Sequence, residues 1–221
     1  MLKAVLFDMD GVIVDTEPLH CKAYFKMFAA VNITVTDALY ESFTGQSTIS
    51  ICRQLCTLFN LTEAPETLVQ LKRDFFKELF FNDDGLTLID GVFELIKDYH
   101  KNRLTLVLAS SASMVTINNV FDKFDLNKYF IAKLSGADLK ASKPHPEIFI
   151  KAAKASGFAK EECMVIEDST NGIAAANAAS IFCVGFKSPH SKNQVYTSAD
   201  LVISSFKEIG YEKILKIVIA K

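Results

Sequence analysis

Two carboxylates separated by one residue, Asp8 and Asp10, stand directly behind the apolar run Leu2-Lys3-Ala4-Val5-Leu6-Phe7 and are followed by Gly11. Three more polar clusters lie downstream. Ser110-Ser111 follows Leu106-Val107-Leu108-Ala109, Lys143 sits in Ser142-Lys143-Pro144-His145-Pro146, and Glu167-Asp168-Ser169 follows Cys163-Met164-Val165-Ile166. Four carboxylates, a hydroxyl and an ammonium are what phosphoryl transfer through a covalent aspartyl phosphate requires. They supply a nucleophile, a proton shuttle, oxygen ligands for Mg2+ and donors for the phosphoryl oxygens. The two cations offset the repulsion between a carboxylate nucleophile and a phosphate dianion, which is worth several kcal/mol in a dry site. Singly, each cluster also suits a humbler role: a turn or helix cap at Asp8-Asp10-Gly11, a strand-end turn at Ser110, a solvated charge at Lys143, an N-cap pair at Glu167-Asp168. Their joint occurrence favours a site.

An apolar run that ends in charge reads as a buried strand delivering that charge to the C-terminal edge of a sheet, where α/β folds build their sites. The pattern predicts strands at 3–8, 104–109, 163–166, 181–184 and 201–203, with helices at 91–101, from Ser113, and at 170–179. Lys143 is held in a loop by two prolines ahead of a further helix that begins at Glu147. Continuously apolar strands imply a parallel sheet covered on both faces. Between Thr16 and Leu86 the pattern stays helical. Asp15-Thr16-Glu17-Pro18 predicts a helix start with a capping side chain and a first-turn proline, running to Val31. Ile49, Cys52, Leu55, Cys56 and Phe59 mark a second helix, and Leu68, Leu71, Phe75 and Leu79 a third. Asn82-Asp83-Asp84-Gly85 breaks the chain. The expected fold class is α/β, a Rossmann-like parallel-sheet core at 1–14 and 88–221 with an all-helical insertion at 15–87.

At 221 residues, half of them hydrophobic, the chain can bury a sizeable core. A net charge of −2 gives no basic field for nucleic acid. No stretch reaches the roughly 18 apolar residues of a membrane span, and the sequence opens on a strand without a leader pattern. A cytoplasmic location is expected. Cys21, Cys52, Cys56, Cys163 and Cys183 lie on apolar faces, as reduced packing thiols do, and Cys52 with Cys56 has no partner at zinc-site spacing.

With these motifs in order, the chain resembles the haloacid dehalogenase superfamily, in its β-phosphoglucomutase-like branch with a small helical cap after the first strand. The resemblance spans nearly the whole sequence. It rests on Asp8 to Leu19, Leu108-Ala109-Ser110-Ser111, Ser142 to Phe149, and Glu167-Asp168-Ser169-Thr170-Asn171-Gly172-Ile173. It implies that Asp8 attacks phosphorus, and that Asp10 protonates the leaving oxygen and then activates water. Ser110 and Lys143 would bind phosphoryl oxygens. Mg2+ would be ligated by Asp8, the Asp10 main-chain carbonyl and Asp168, with Glu167 a ligand or just outside the ligand set. Thr16, His20, Gly45 and Thr48 from the cap and Ser111 from the core are the candidate substrate contacts. His20 reads equally as a surface histidine, His145 reads as structural, His100 and His190 as solvated, and the phenylalanines of 75–81 as packing.

Within that resemblance, Asp10 argues against dehalogenation, which needs no leaving-group proton. Phosphonate cleavage would use a cap lysine, and Lys22 and Lys26 are available. A mutase needs a cap cation for the second phosphate. The mutases place an arginine three residues after the cap glycine, where this chain has Thr48 after Gly45; Arg53 lies further along. Met114 stands where mutases carry a polar residue, and Glu17-Pro18-Leu19 resembles the phosphatases. The expected activity is therefore hydrolysis of a small phosphorylated metabolite, a sugar or polyol phosphate, with Mg2+ and by a monomer or weak homodimer; β-phosphoglucomutase is the alternative. A catalytically silent relative would have lost Asp8, Asp10, Lys143 or Asp168, and all four are present.

Overall fold

The computed structural model describes residues 1–43, 46–82, 86–188 and 193–219. Two compact units emerge: an α/β unit of Met1–Asp15 with Thr87–Lys221, and a helical unit of Thr16–Leu86.

In chain order the elements are β1 (Ala4–Phe7), α1 (Glu17–Ala30), α2 (Asp37–Glu41), α3 (Thr48–Phe59), α4 (Pro65–Asn82), α5 (Val92–Lys101) and β2 (Thr105–Ser110). They continue with α6 (Met114–Lys123), β3 (Phe130–Ser135), α7 (Glu147–Ser156), β4 (Cys163–Glu167), α8 (Thr170–Ala178), β5 (Phe182–Phe186), β6 (Leu201–Ile203) and α9 (Tyr211–Ile219). The strands form one parallel sheet in the order β3-β2-β1-β4-β5-β6. β1 lies between β2 and β4, with Phe7 level with Leu108 and Ile166, so the three motif-bearing strands end side by side. This is the Rossmann-like parallel core that the apolar runs predict.

One strand goes unread in the sequence. β3 is an edge strand whose residues Phe-Ile-Ala-Lys-Leu-Ser are mostly half-buried, with Ile131 at 62% exposure. An edge strand buries less and carries charge, here Lys133, so its apolar run is broken. On one sheet face Leu6, Val107 and Val165 pack with Phe149 and Ala152 of α7 and Ile173 and Ala176 of α8. On the other, Phe7 meets the Tyr99 ring at a tilt and the Phe130 ring edge to face. Phe7 is fully buried, so its truncation to Ala costs about 3–5 kcal/mol.

In the helical unit, Tyr24, Met27 and Phe28 of α1 pack with Ile51, Cys52 and Leu55 of α3 and Leu68 and Val69 of α4. The buried face of α4 is Leu68, Val69, Lys72, Phe76 and Phe80, which puts the expected Leu71, Phe75 and Leu79 on its half-buried flank. Thr16 holds the N-cap position of α1, but its side chain makes no capping hydrogen bond to the helix, a correction to the expected cap. Ser47, Ser113 and Ser169 do cap their helices. The five cysteines are free thiols. Among the described residues no helix is long and apolar enough to cross a membrane.

Candidate active site

Asp8 is placed by backbone bonding. Its N–H donates to the Ile166 carbonyl at 3.0 Å, extending the β1–β4 pairing one residue past the strand. The chain then folds sharply, because the Met9 carbonyl accepts from the N–H groups of Val12, Ile13 and Val14 at 3.3, 2.8 and 3.1 Å. Gly11, at φ +80°, makes the turn. An ideal Cβ on Gly11 would lie 2.0 Å from Asp168 Oδ2, so the Asp168 carboxylate fills the space a side chain would need, one residue from Asp10. Gly172 does the same for the other acid. Its ideal Cβ would lie 1.7 Å from Glu167 Oε1, which accounts for a glycine in the first turn of α8, where glycine costs about 1 kcal/mol relative to Ala.

Lys143 joins these carboxylates. Its Nζ donates to Asp8 Oδ1 at 2.5 Å, Glu167 Oε1 at 2.7 Å and the Ala109 carbonyl at 3.1 Å, and lies 4.8 Å from the Phe149 ring centre. The Lys143–Pro144 peptide is cis. The side chains of Lys143, Asp8 and Glu167 are only 6%, 9% and 1% exposed. Burial pushes the Asp8 carboxyl up to about 7; Lys143 opposes that shift, while Glu167 and Asp10 add to it. Burial alone would lower Lys143, but Asp8 and Glu167 outweigh it and hold the ammonium above its ordinary range. Glu167 Oε2 accepts from Ser169 N and Oγ at 2.8 and 2.9 Å, so both of its oxygens are engaged. Ser110, 1% exposed at the end of β2, accepts the Ala112 N–H on its Oγ at 3.1 Å. Ser111 is exposed.

The carboxylates of Asp8 and Asp168 offer the hard oxygen donors that Mg2+ takes. Among the described residues, though, no three acid, histidine or cysteine side chains form a ready-made metal cluster. Asp8 and Glu167 are bridged by an ammonium, whereas Asp168 lies against Gly11.

The other candidates belong to the helical unit. Thr16 is 1% exposed. His20 is no ordinary surface residue: its Nδ1 lies 2.6 Å from Lys72 Nζ and its ring stacks on Phe76 at 4.3 Å. Burial and then the Lys72 charge hold His20 well below its usual 6.5, so Nδ1 accepts from the ammonium. Lys72, 4% exposed, also lies over Tyr24 and Phe76. Sequence reasoning missed it, because a lysine on an otherwise apolar stripe reads as the stripe's edge. Thr48 is the first residue of α3. Gly45 and His190 lie outside the described residues.

A parallel α/β sheet with a buried acid and ammonium cluster at its carboxyl edge defines the class. Residues 5–186 match the family model described as haloacid dehalogenase-like hydrolase, and the chain belongs to that family. It is 27% identical over 213 residues to hexitol phosphatase B of Escherichia coli K12, covering 96% of each chain. It is 31% identical over 183 residues to a phosphorylated carbohydrates phosphatase of Thermotoga maritima, covering 81% of this chain and 82% of the relative. In structure it is similar to a β-phosphoglucomutase from Clostridium difficile, with a TM-score of 0.82, 28% identity, and coverage of 100% and 98%.

Proposed function

We propose that the protein is a Mg2+-dependent phosphatase that hydrolyses a small phosphorylated sugar or polyol through a phosphoryl group carried on Asp8. The observation that carries this reading is the buried Lys143–Asp8 pair, with Asp8 two residues before Asp10 on the chain turn at the end of β1. The two relatives named for sugar-phosphate hydrolysis support the substrate class.

An Asp8 oxygen attacks phosphorus as the bond to the ester oxygen breaks, and the Asp10 carboxyl gives that oxygen its proton. Water then attacks the same phosphorus while Asp10 takes its proton; the Asp8–phosphorus bond breaks, the carboxylate returns, and inorganic phosphate leaves. Ser110, whose oxygen already accepts from Ala112, turns its hydrogen to a phosphoryl oxygen. Lys143 holds a second phosphoryl oxygen while neutralising Asp8. Mg2+, when bound, supplies the remaining positive charge, held by Asp8, the Asp10 carbonyl and Asp168. Glu167, with both oxygens engaged, fits better as the anchor of Lys143 and Ser169 than as a ligand.

The β-phosphoglucomutase likeness favours a second reading, isomerisation of a sugar phosphate. Arg53 is poorly placed to stand in for an arginine at position 48: it is exposed, and five residues along α3 put it about 140° around the helix from Thr48.

The test is phosphate release from sugar and polyol phosphates, nucleotides, pyrophosphate and phosphonoacetaldehyde, with and without Mg2+. Release from sugar or polyol phosphates that depends on Mg2+ is expected. Release confined to phosphonoacetaldehyde, or none from any monoester, would contradict the reading.

A further inference from the structure

Residues 193–200 are laid along α8 from its first residue to its last turn. Gln194 Oε1 accepts from Thr170 N at 2.8 Å and from Thr170 Oγ1 at 3.0 Å, and Val195 N donates back to Thr170 Oγ1 at 2.8 Å. Further on, Asn177 Nδ2 donates to the Ser198 carbonyl at 2.7 Å, and Asp200 exchanges two hydrogen bonds of 2.9 Å with Cys183 of β5. Tyr196 packs on the same sheet end, its Cδ1 3.1 Å from an ideal Cβ on Gly185, the β5 partner of Glu167.

The turn Glu167-Asp168-Ser169-Thr170 is thus fixed from two directions. From within, Ser169 bonds Glu167 Oε2 and caps α8 through Gly172 N at 3.0 Å. From outside, Gln194 takes the Thr170 N–H, a first-turn donor with no partner inside the helix. Asp168 lies between the two clamps, with its carboxylate in the space beside Gly11.

We propose that Gln194 is a positioning residue that, by pinning Thr170, holds Asp168 in the orientation that metal binding needs. The inference rests on the metal reading above. Outer partners of metal ligands typically control about 10–100-fold in affinity, and one step further out the effect falls at the low end of that range.

The experiment is calorimetric titration of the full chain with Mg2+ in the absence of substrate, beside thermal melting of each variant. Gln194→Leu and Thr170→Val should each weaken Mg2+ binding about tenfold. Thr170→Ser, which keeps the hydroxyl, should restore wild-type affinity. Asn177→Ala loosens the same segment at the far end of α8, so it should lower the melting temperature and leave Mg2+ affinity unchanged. If Gln194→Leu does not fold, Thr170→Val carries the test, since it removes one hydroxyl and keeps the shape. Wild-type affinity in both Gln194→Leu and Thr170→Val, or equal weakening in Asn177→Ala, would overturn the proposal and leave a purely structural clamp. A wild-type chain that takes up no Mg2+ would overturn the metal reading itself, and this inference with it.

Discussion

Lys143 Nζ lies 2.5 Å from Asp8 Oδ1, and the same ammonium holds Glu167 Oε1 at 2.7 Å. One cation thus answers two buried carboxylates, which leaves the cluster negative and ready for a further cation.

Removing that ammonium should harm both turnover and stability. In Lys143→Ala two buried acids face each other unpaired, at a cost of about 3–5 kcal/mol. Asp8 already sits above its usual range through burial, and losing Lys143 raises it further. A carboxyl raised in the folded state contributes stability at low pH that is lost as pH rises through its folded value, so the deficit should be larger at pH 8 than at pH 6. Denaturant titration at both pH values measures it. Wild-type turnover in a destabilised variant would make Lys143 a structural charge alone.

Asp8→Asn keeps the side chain's shape and removes the nucleophile, so turnover should fall by about 10^4-fold or more with the circular dichroism spectrum unchanged. Asp10→Asn should slow transfer of the phosphoryl group to Asp8 about 10^2–10^4-fold with sugar phosphates and much less with an aryl phosphate, whose leaving group needs no proton; single-turnover release of the leaving group reads this step apart from the water step, which loses its base with either ester. Equal slowing of that release with both esters would contradict the assigned role of Asp10.

Chelation with EDTA should abolish activity and Mg2+ restore it. A proton on Asp8 competes with the metal, and with the carboxyl near 7 the half-saturating Mg2+ concentration should fall as pH rises from 6 to 8. A half-saturation value independent of pH would place the metal away from Asp8.

His20 gives the helical unit its own pH response. Its folded value lies below its usual 6.5, so the unfolded chain binds the extra proton, and stability present above that value is lost as pH falls below it. The slope should approach about 1.4 kcal/mol per pH unit at most, the limit for one proton. His20→Asn should flatten it, and Lys72→Met should raise the imidazole titration seen by NMR. An unshifted titration in Lys72→Met would remove Lys72 as a cause.

The central strands and their polar ends were legible because a strand buried on both faces is written as an unbroken apolar run, and Asp8, Ser110 and Glu167 mark where the apolar run stops and buried polar chemistry begins. β3 was not, since an edge strand with Lys133 and an exposed Ile131 has no such run. The stripe on α4 was displaced by one residue toward its flank, because Lys72 at its centre reads as surface. The same blindness hid the His20–Lys72 pair, whose members are 52 residues apart, and the hold of Gln194 on Thr170 across 24. Local pattern shows which side chains point inward; it carries no signal for polar partners brought together by the fold.

The most direct measurement supplies β-glucose 1-phosphate with a trace of β-glucose 1,6-bisphosphate and follows inorganic phosphate and glucose 6-phosphate in the same sample. If water is the acceptor of the phosphoryl group on Asp8, phosphate is released in a Mg2+-dependent way, glucose 6-phosphate does not accumulate, and Asp8→Asn releases none. Rapid formation of glucose 6-phosphate with negligible phosphate release would contradict the account and make the protein a mutase.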